Sequence, residues 1–160
     1  TRASGPAVCR WPASSRMAQE ECKLFAAHSI SMSAGRGKIV ATYKLDESGP
    51  NIMVTGQLSG CAFLIQTKGR GLEVSHIKPV GISGADLATT LGADHPDSFV
   101  YGVSPSDGFY DSCDRVVSII GVRKPDGHWA IYAQKQDALT MDYRIRSVYM
   151  IYAEYVKICG

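Results

Sequence analysis

Cys61-Ala62-Phe63-Leu64-Ile65-Gln66-Thr67-Lys68-Gly69-Arg70-Gly71-Leu72-Glu73-Val74-Ser75-His76-Ile77 is the stretch that decides how this chain folds. Two apolar-rich runs flank the turn signal Lys68-Gly69-Arg70-Gly71, and together they read as an antiparallel hairpin of 61–67 against 72–77. Centring the turn on Lys68 and Gly69 sets Cys61 opposite His76, Phe63 opposite Val74 and Ile65 opposite Leu72. The other face carries Ala62, Leu64 and Gln66 against Glu73, Ser75 and Ile77. One face is thus apolar and the other mixed, which is what fixes a register in a half-buried hairpin. Opposed side chains have Cβ atoms about 4.5–5.5 Å apart, close enough for a thiol–imidazole hydrogen bond. A four-residue loop would shift the pairing by two and leave Cys61 and His76 as diagonal neighbours on one face. A three-residue loop without a bulge would put them on opposite faces.

Outward from the hairpin, strands are expected at 38–44, 52–58, 115–123, 128–134 and 143–155, with turns at Ser48-Gly49-Pro50-Asn51 and Pro125-Asp126-Gly127. A helix is expected from Ser14 or Ser15 to about Ala27, leaving His28 as a surface or cap residue near its C-terminus. A second helix is expected over 84–91, with Ser83 as N-cap and Gly92 just past its end. Residues 93–114 read as loop, and His95 in Asp94-His95-Pro96-Asp97 reads as a loop residue rather than half a metal site. Residues 1–14 read as a linker or tail and 15–160 as one catalytic domain. About seven strands and two helices with short connections give an α+β class: a single domain whose core is two mixed, mostly antiparallel β-sheets packed as a sandwich and flanked by helices.

Composition narrows the function. Apolar residues make up 45% and charged residues 20%, with a net charge of +2, and Lys and Arg are scattered among acids. That balance gives no ground for a nucleic-acid partner. No apolar run reaches the roughly 18 residues that a membrane span needs, and no signal-peptide pattern opens the chain. Starting at Thr1, the chain is expected to be a processed form or a domain of something larger. The five cysteines, at 9, 22, 61, 113 and 159, show no C-x-x-C spacing and are expected as reduced thiols.

A thiol becomes a useful nucleophile when a base keeps it near its thiolate form, so the partner of Cys61 matters most. Cys113 and His128 have the same spacing as Cys61 and His76, but a hairpin joining them would turn at Ile119-Ile120, inside an apolar run. The turn signal lies at Pro125-Asp126-Gly127 instead, so that pair cannot form by a hairpin. Ser59 and Gly60, before the nucleophile, are small enough for backbone N–H groups to approach a reacting carbonyl as an oxyanion site. Trp129, beside a turn, reads as a core anchor.

Leu58-Ser59-Gly60-Cys61, with a histidine fifteen positions later and Thr55 six before, resembles the cytotoxic necrotizing factor catalytic domains and Burkholderia lethal factor. These toxins share their active-site plan with the chemotaxis receptor glutamine deamidase. The resemblance is clear over 52–80 and weaker over 116–134. It implies a Cys–His pair that converts a glutamine side chain to glutamate, with Cys61 as nucleophile, His76 as base and Thr55 as an auxiliary residue. It also implies a secreted or translocated bacterial effector that acts in a host cytosol on a Rho-family GTPase or a translation-initiation helicase. Such a domain needs no metal and no organic cofactor, and it is expected to be monomeric. A transglutaminase or a cysteine peptidase would use the same pair, and a binding module would use neither residue chemically.

Overall fold

The computed structural model describes residues 24–35, 38–69, 71–104, 115–137 and 144–154. Among these the chain forms β1 (His28–Ile30), β2 (Met32–Ala34), β3 (Tyr43–Leu45), β4 (Ile52–Thr55), β5 (Ala62–Lys68), β6 (Gly71–Lys78), α1 (Gly84–Asp94), β7 (Phe99–Tyr101), β8 (Arg115–Arg123), β9 (Trp129–Asp137) and β10 (Ile145–Ala153). One sheet has the order β1-β4-β8-β9-β10. The other has the order β2-β6-β5-β7, with β3 also paired to β6. The pairs β1–β4 and β2–β6 are parallel and the rest antiparallel. The fold is α+β, built on two mixed β-sheets.

The central hairpin forms with its turn moved along the chain. Phe63 faces His76, Ile65 faces Val74 and Lys68 faces Gly71. Gly69 has φ +62°, and the two-residue turns that suit a hairpin need a positive φ at their first central position. Two glycines in Lys68-Gly69-Arg70-Gly71 make either centring possible, and the chain takes the later one. The pairing is therefore displaced by two from the sequence expectation. A displacement by two keeps every side chain on its expected face, which a displacement by one would not.

Those faces build two cores. Between the sheets lie Phe63, Ile65, Leu72 and Val74 from the hairpin, packed against Met53, Val117, Ile119, Trp129 and Ile131 of the other sheet. Behind the hairpin, Ala62, Leu64 and Ile77 pack on Leu87 and Leu91 of α1, one turn apart on that helix. Each large side chain buried this way contributes about 1.5–3 kcal/mol. Ser83 caps α1 by accepting the Asp86 N–H at 3.0 Å, and the helix then runs through Gly92 to Asp94. His95, whose N–H reaches the Leu91 carbonyl at 2.9 Å, ends it.

Several expected elements differ. Residues 24–27 are not helical, and the rest of the expected first helix, like the expected tail, lies outside the described residues. His28 is not a cap: it opens β1 and is buried. The strand expected at 38–44 is only Tyr43–Leu45, and the region expected as loop contains β7. Strand β8 has the expected bounds, and the Pro125-Asp126-Gly127 turn closes with the Gly127 N–H on the Lys124 carbonyl at 2.9 Å. Trp129 is buried in the core between the sheets. No helix among the described residues is long and apolar enough to cross a membrane.

Candidate functional site

Among the described residues the chain crosses from the first sheet to the second twice, at neighbouring places. Strand β1 places Ile30 beside Thr55 in the first sheet, and after Ser31 strand β2 places Met32 beside His76 in the second. The second change runs through Gly56-Gln57-Leu58-Ser59-Gly60-Cys61. Leu58 is still held to Val117 by two backbone bonds of 2.7 and 3.0 Å, while β5 begins four residues later in the other sheet. Strands that switch sheets make the corners of a sandwich, and there the regular ladder gives way to specific side-chain contacts.

Glycine makes the second change possible. Gly60 has φ +122°, a conformation that L side chains rarely adopt. Its carbonyl lies against α1, only 2.5 Å from where a Cβ on Gly84 would stand. A side chain at Gly84 would push the Cys61 loop off the helix, and one at Gly60 would strain the backbone that makes the bend.

Cys61 is 8% exposed. Its thiol donates to the Met32 Sδ at 3.6 Å, and a backbone hydrogen bond from Ser59 also reaches the sulfur. Burial pushes the thiol pKa up, against the opposing pull of the Ser59 N–H and the Lys78 charge. His76 is 2% exposed, and neither of its ring nitrogens makes a hydrogen bond. Burial alone lowers its pKa. At neutral pH the site therefore rests as a neutral thiol and a neutral imidazole, not as an ion pair.

The sequence expectation of Cys61 directly opposite His76 is corrected to a diagonal relation. Phe63 occupies the place opposite His76, and Cys61, two residues earlier and just ahead of β5, packs in the same core between the sheets as Phe63. Diagonal neighbours stand about 7–8 Å apart, a gap that long or aromatic side chains span and a short cysteine does not span alone. Closing it to a hydrogen bond requires the thiol to leave Met32.

Thr55 does not join the pair. Its hydroxyl accepts the Ile119 N–H at 3.1 Å and donates to the Gly56 carbonyl at 2.7 Å, so it ties the end of β4 to β8. Its place in this arrangement is to hold the strand that leads into the Cys61 loop. Ser59 reaches the sulfur through its backbone, and Gly60 supplies the bend.

Sequence reasoning passed over Met32. The signal was present in His28-Ser29-Ile30-Ser31-Met32-Ser33, where serines at 29, 31 and 33 alternate with the larger His28, Ile30 and Met32. That period of two is a strand pattern. Cys9, Cys22, Cys113 and Cys159 lie outside the described residues. No protein-family model and no curated protein sequence matches the chain.

Proposed function

We propose that this chain hydrolyses the side-chain amide of a glutamine in a host protein, with Cys61 as nucleophile and His76 as base. The observation that carries the reading is His76: a histidine 2% exposed, with both ring nitrogens unbonded, on the same sheet face as a buried thiol. A buried polar group left without a partner costs about 1–3 kcal/mol, and His76 leaves two such atoms unbonded where His28 and Ser75 leave one each. The resemblance of Leu58–Cys61, His76 and Thr55 to the deamidase toxins supplies the reaction and the substrate class. The same resemblance supports a translocated bacterial effector, with a Rho-family GTPase or a translation-initiation helicase as its target.

The neutral resting pair shapes the chemistry. Nothing stores a thiolate in advance, so His76 takes the thiol proton as the sulfur attacks the carboxamide carbon. The amide oxygen gathers charge next to the Ser59-Gly60-Cys61 backbone, where an N–H would stabilise it. The carbon–nitrogen bond then breaks, ammonia leaves with the proton from His76, and a thioester to Cys61 remains. Water, losing a proton to His76, cleaves the thioester and restores the thiol. Amide and water have become acid and ammonia. Host-cell lysate incubated with wild type and with Cys61→Ala tests this by intact-mass analysis. A protein gaining the amide-to-acid mass change only with the wild type is the expected result, and identical spectra would end the reading.

A further inference from the structure

Met32 stands where a substrate side chain has to stand. We propose that it is an internal pseudo-substrate, filling the slot for the target glutamine, and that a substrate enters by displacing it. This inference rests on the deamidase reading and names the shape of side chain that the site accepts.

The first observation is positional. The Met32 Sδ is 3.6 Å from the Cys61 Sγ, close to the roughly 3–3.5 Å at which a nucleophile meets its target atom. Methionine and glutamine are both unbranched, with two methylenes before the atom in question. Sδ in one takes the place of the carboxamide carbon in the other. A glutamine lying along the path of the Met32 side chain would present that carbon to the sulfur, beside His76. Asparagine, one methylene shorter, would fall short of the sulfur.

The second observation separates Met32 from ordinary core filling. It lies on β2, at the edge of its sheet, and is 52% exposed. A methionine there does little for the core, yet its thioether covers a thiol that is 8% exposed and flanks an imidazole that is 2% exposed. Its three rotatable bonds let it swing into solvent without moving the backbone. Once it leaves, its own hydrogen bond with the Cys61 thiol is broken, and the His76 ring nitrogens remain unbonded.

Two measurements test this. In purified Met32→Gln, peptide mass analysis should find the new amide hydrolysed to the acid, with the ammonia and water balance given above. The conversion should be absent from Met32→Gln/Cys61→Ala and from Met32→Asn. Separately, Met32→Ala should let iodoacetamide label Cys61 several-fold faster than in the wild type, read at the Cys61 peptide. An unchanged labelling rate overturns the proposal whatever the reaction is. An intact amide in Met32→Gln, while the wild type converts a glutamine of a host protein, overturns the role of Met32 alone. An intact amide together with no conversion of any host glutamine overturns both this inference and the deamidase reading.

Discussion

Two buried histidines, His28 and His76, lie on strands of different sheets, and they are held differently: His28 is bonded through Nδ1 while its Nε2 is not, and His76 is bonded through neither nitrogen. His28 is packed as a structural part. Its Nδ1 is 3.2 Å from the Tyr43 hydroxyl, and its ring meets Tyr43 and Trp129 edge-on at 5.6 and 5.8 Å. A Cβ on Gly49 would come within 2.5 Å of it. The Gly49 turn is in turn clasped by Arg123, which donates to the Gly49 carbonyl at 2.7 Å and to Asn51 at 3.0 Å. His76 is buried further but has no bond to either ring nitrogen, and its neighbours include a thiol and a flexible thioether. Burial depth does not separate the two; the number of ring nitrogens left without a partner does.

The largest effect that sharpens this contrast is on activity. Cys61→Ser and His76→Ala should each abolish glutamine conversion, and the double variant should be hardly worse than either, because the two act as a unit. Additive losses would show that they act separately. Stability should respond in the reverse order. His28→Ala should lower unfolding free energy by about 2–4 kcal/mol, since it empties a packed aromatic site. His76→Leu should stay within about 1 kcal/mol of wild type, because no hydrogen bond is lost and an unsatisfied polar group is removed. Urea denaturation measures both, and equal losses would break the contrast.

Acid should act through both residues. Each folded pKa lies below the ordinary value of 6.5, for His28 through burial chiefly, with Pro50 and Asp46 opposing and Arg123 adding to it. Below 6.5 the unfolded chain binds protons that the folded chain refuses, so stability falls as pH drops toward the folded values. Urea midpoints should fall between about pH 7.5 and pH 5.5. The fall should be smaller in a His28→Phe/His76→Leu double variant, and an undiminished one would place the acid sensitivity elsewhere. The smallest expected effect is at Thr55. Thr55→Val removes an acceptor for the Ile119 N–H and should cost about 1 kcal/mol, with partial loss of activity. Complete loss with the fold intact would give that hydroxyl a direct part in the chemistry.

The sheet content, the hairpin faces and the bounds of β8 were legible in local pattern, because a half-buried strand writes its burial into every second residue. The hairpin register was legible only up to a displacement of two, since Gly69 and Gly71 offer the turn two placements that bury the same side chains. The sheet switches after Ile30 and Leu58 left no such mark. Which sheet a strand joins depends on distant partners, and side-chain alternation is the same in either. That is why Cys61 and His76 could be put on one face from sequence while Met32, brought in by the other switch, could not. Thr55 was singled out only by resemblance, and its hydroxyl is spent on backbone in the adjoining sheet.

Tandem mass spectrometry of a target protein after exposure to wild type and to Cys61→Ala tests the central claim most directly. The account predicts one glutamine changed to glutamate, with the backbone uncut, only where Cys61 is present. An amine adduct or isopeptide at that glutamine would make the chain a transglutaminase. A cut backbone beside an unchanged glutamine, or the same conversion with Cys61→Ala, would contradict the account.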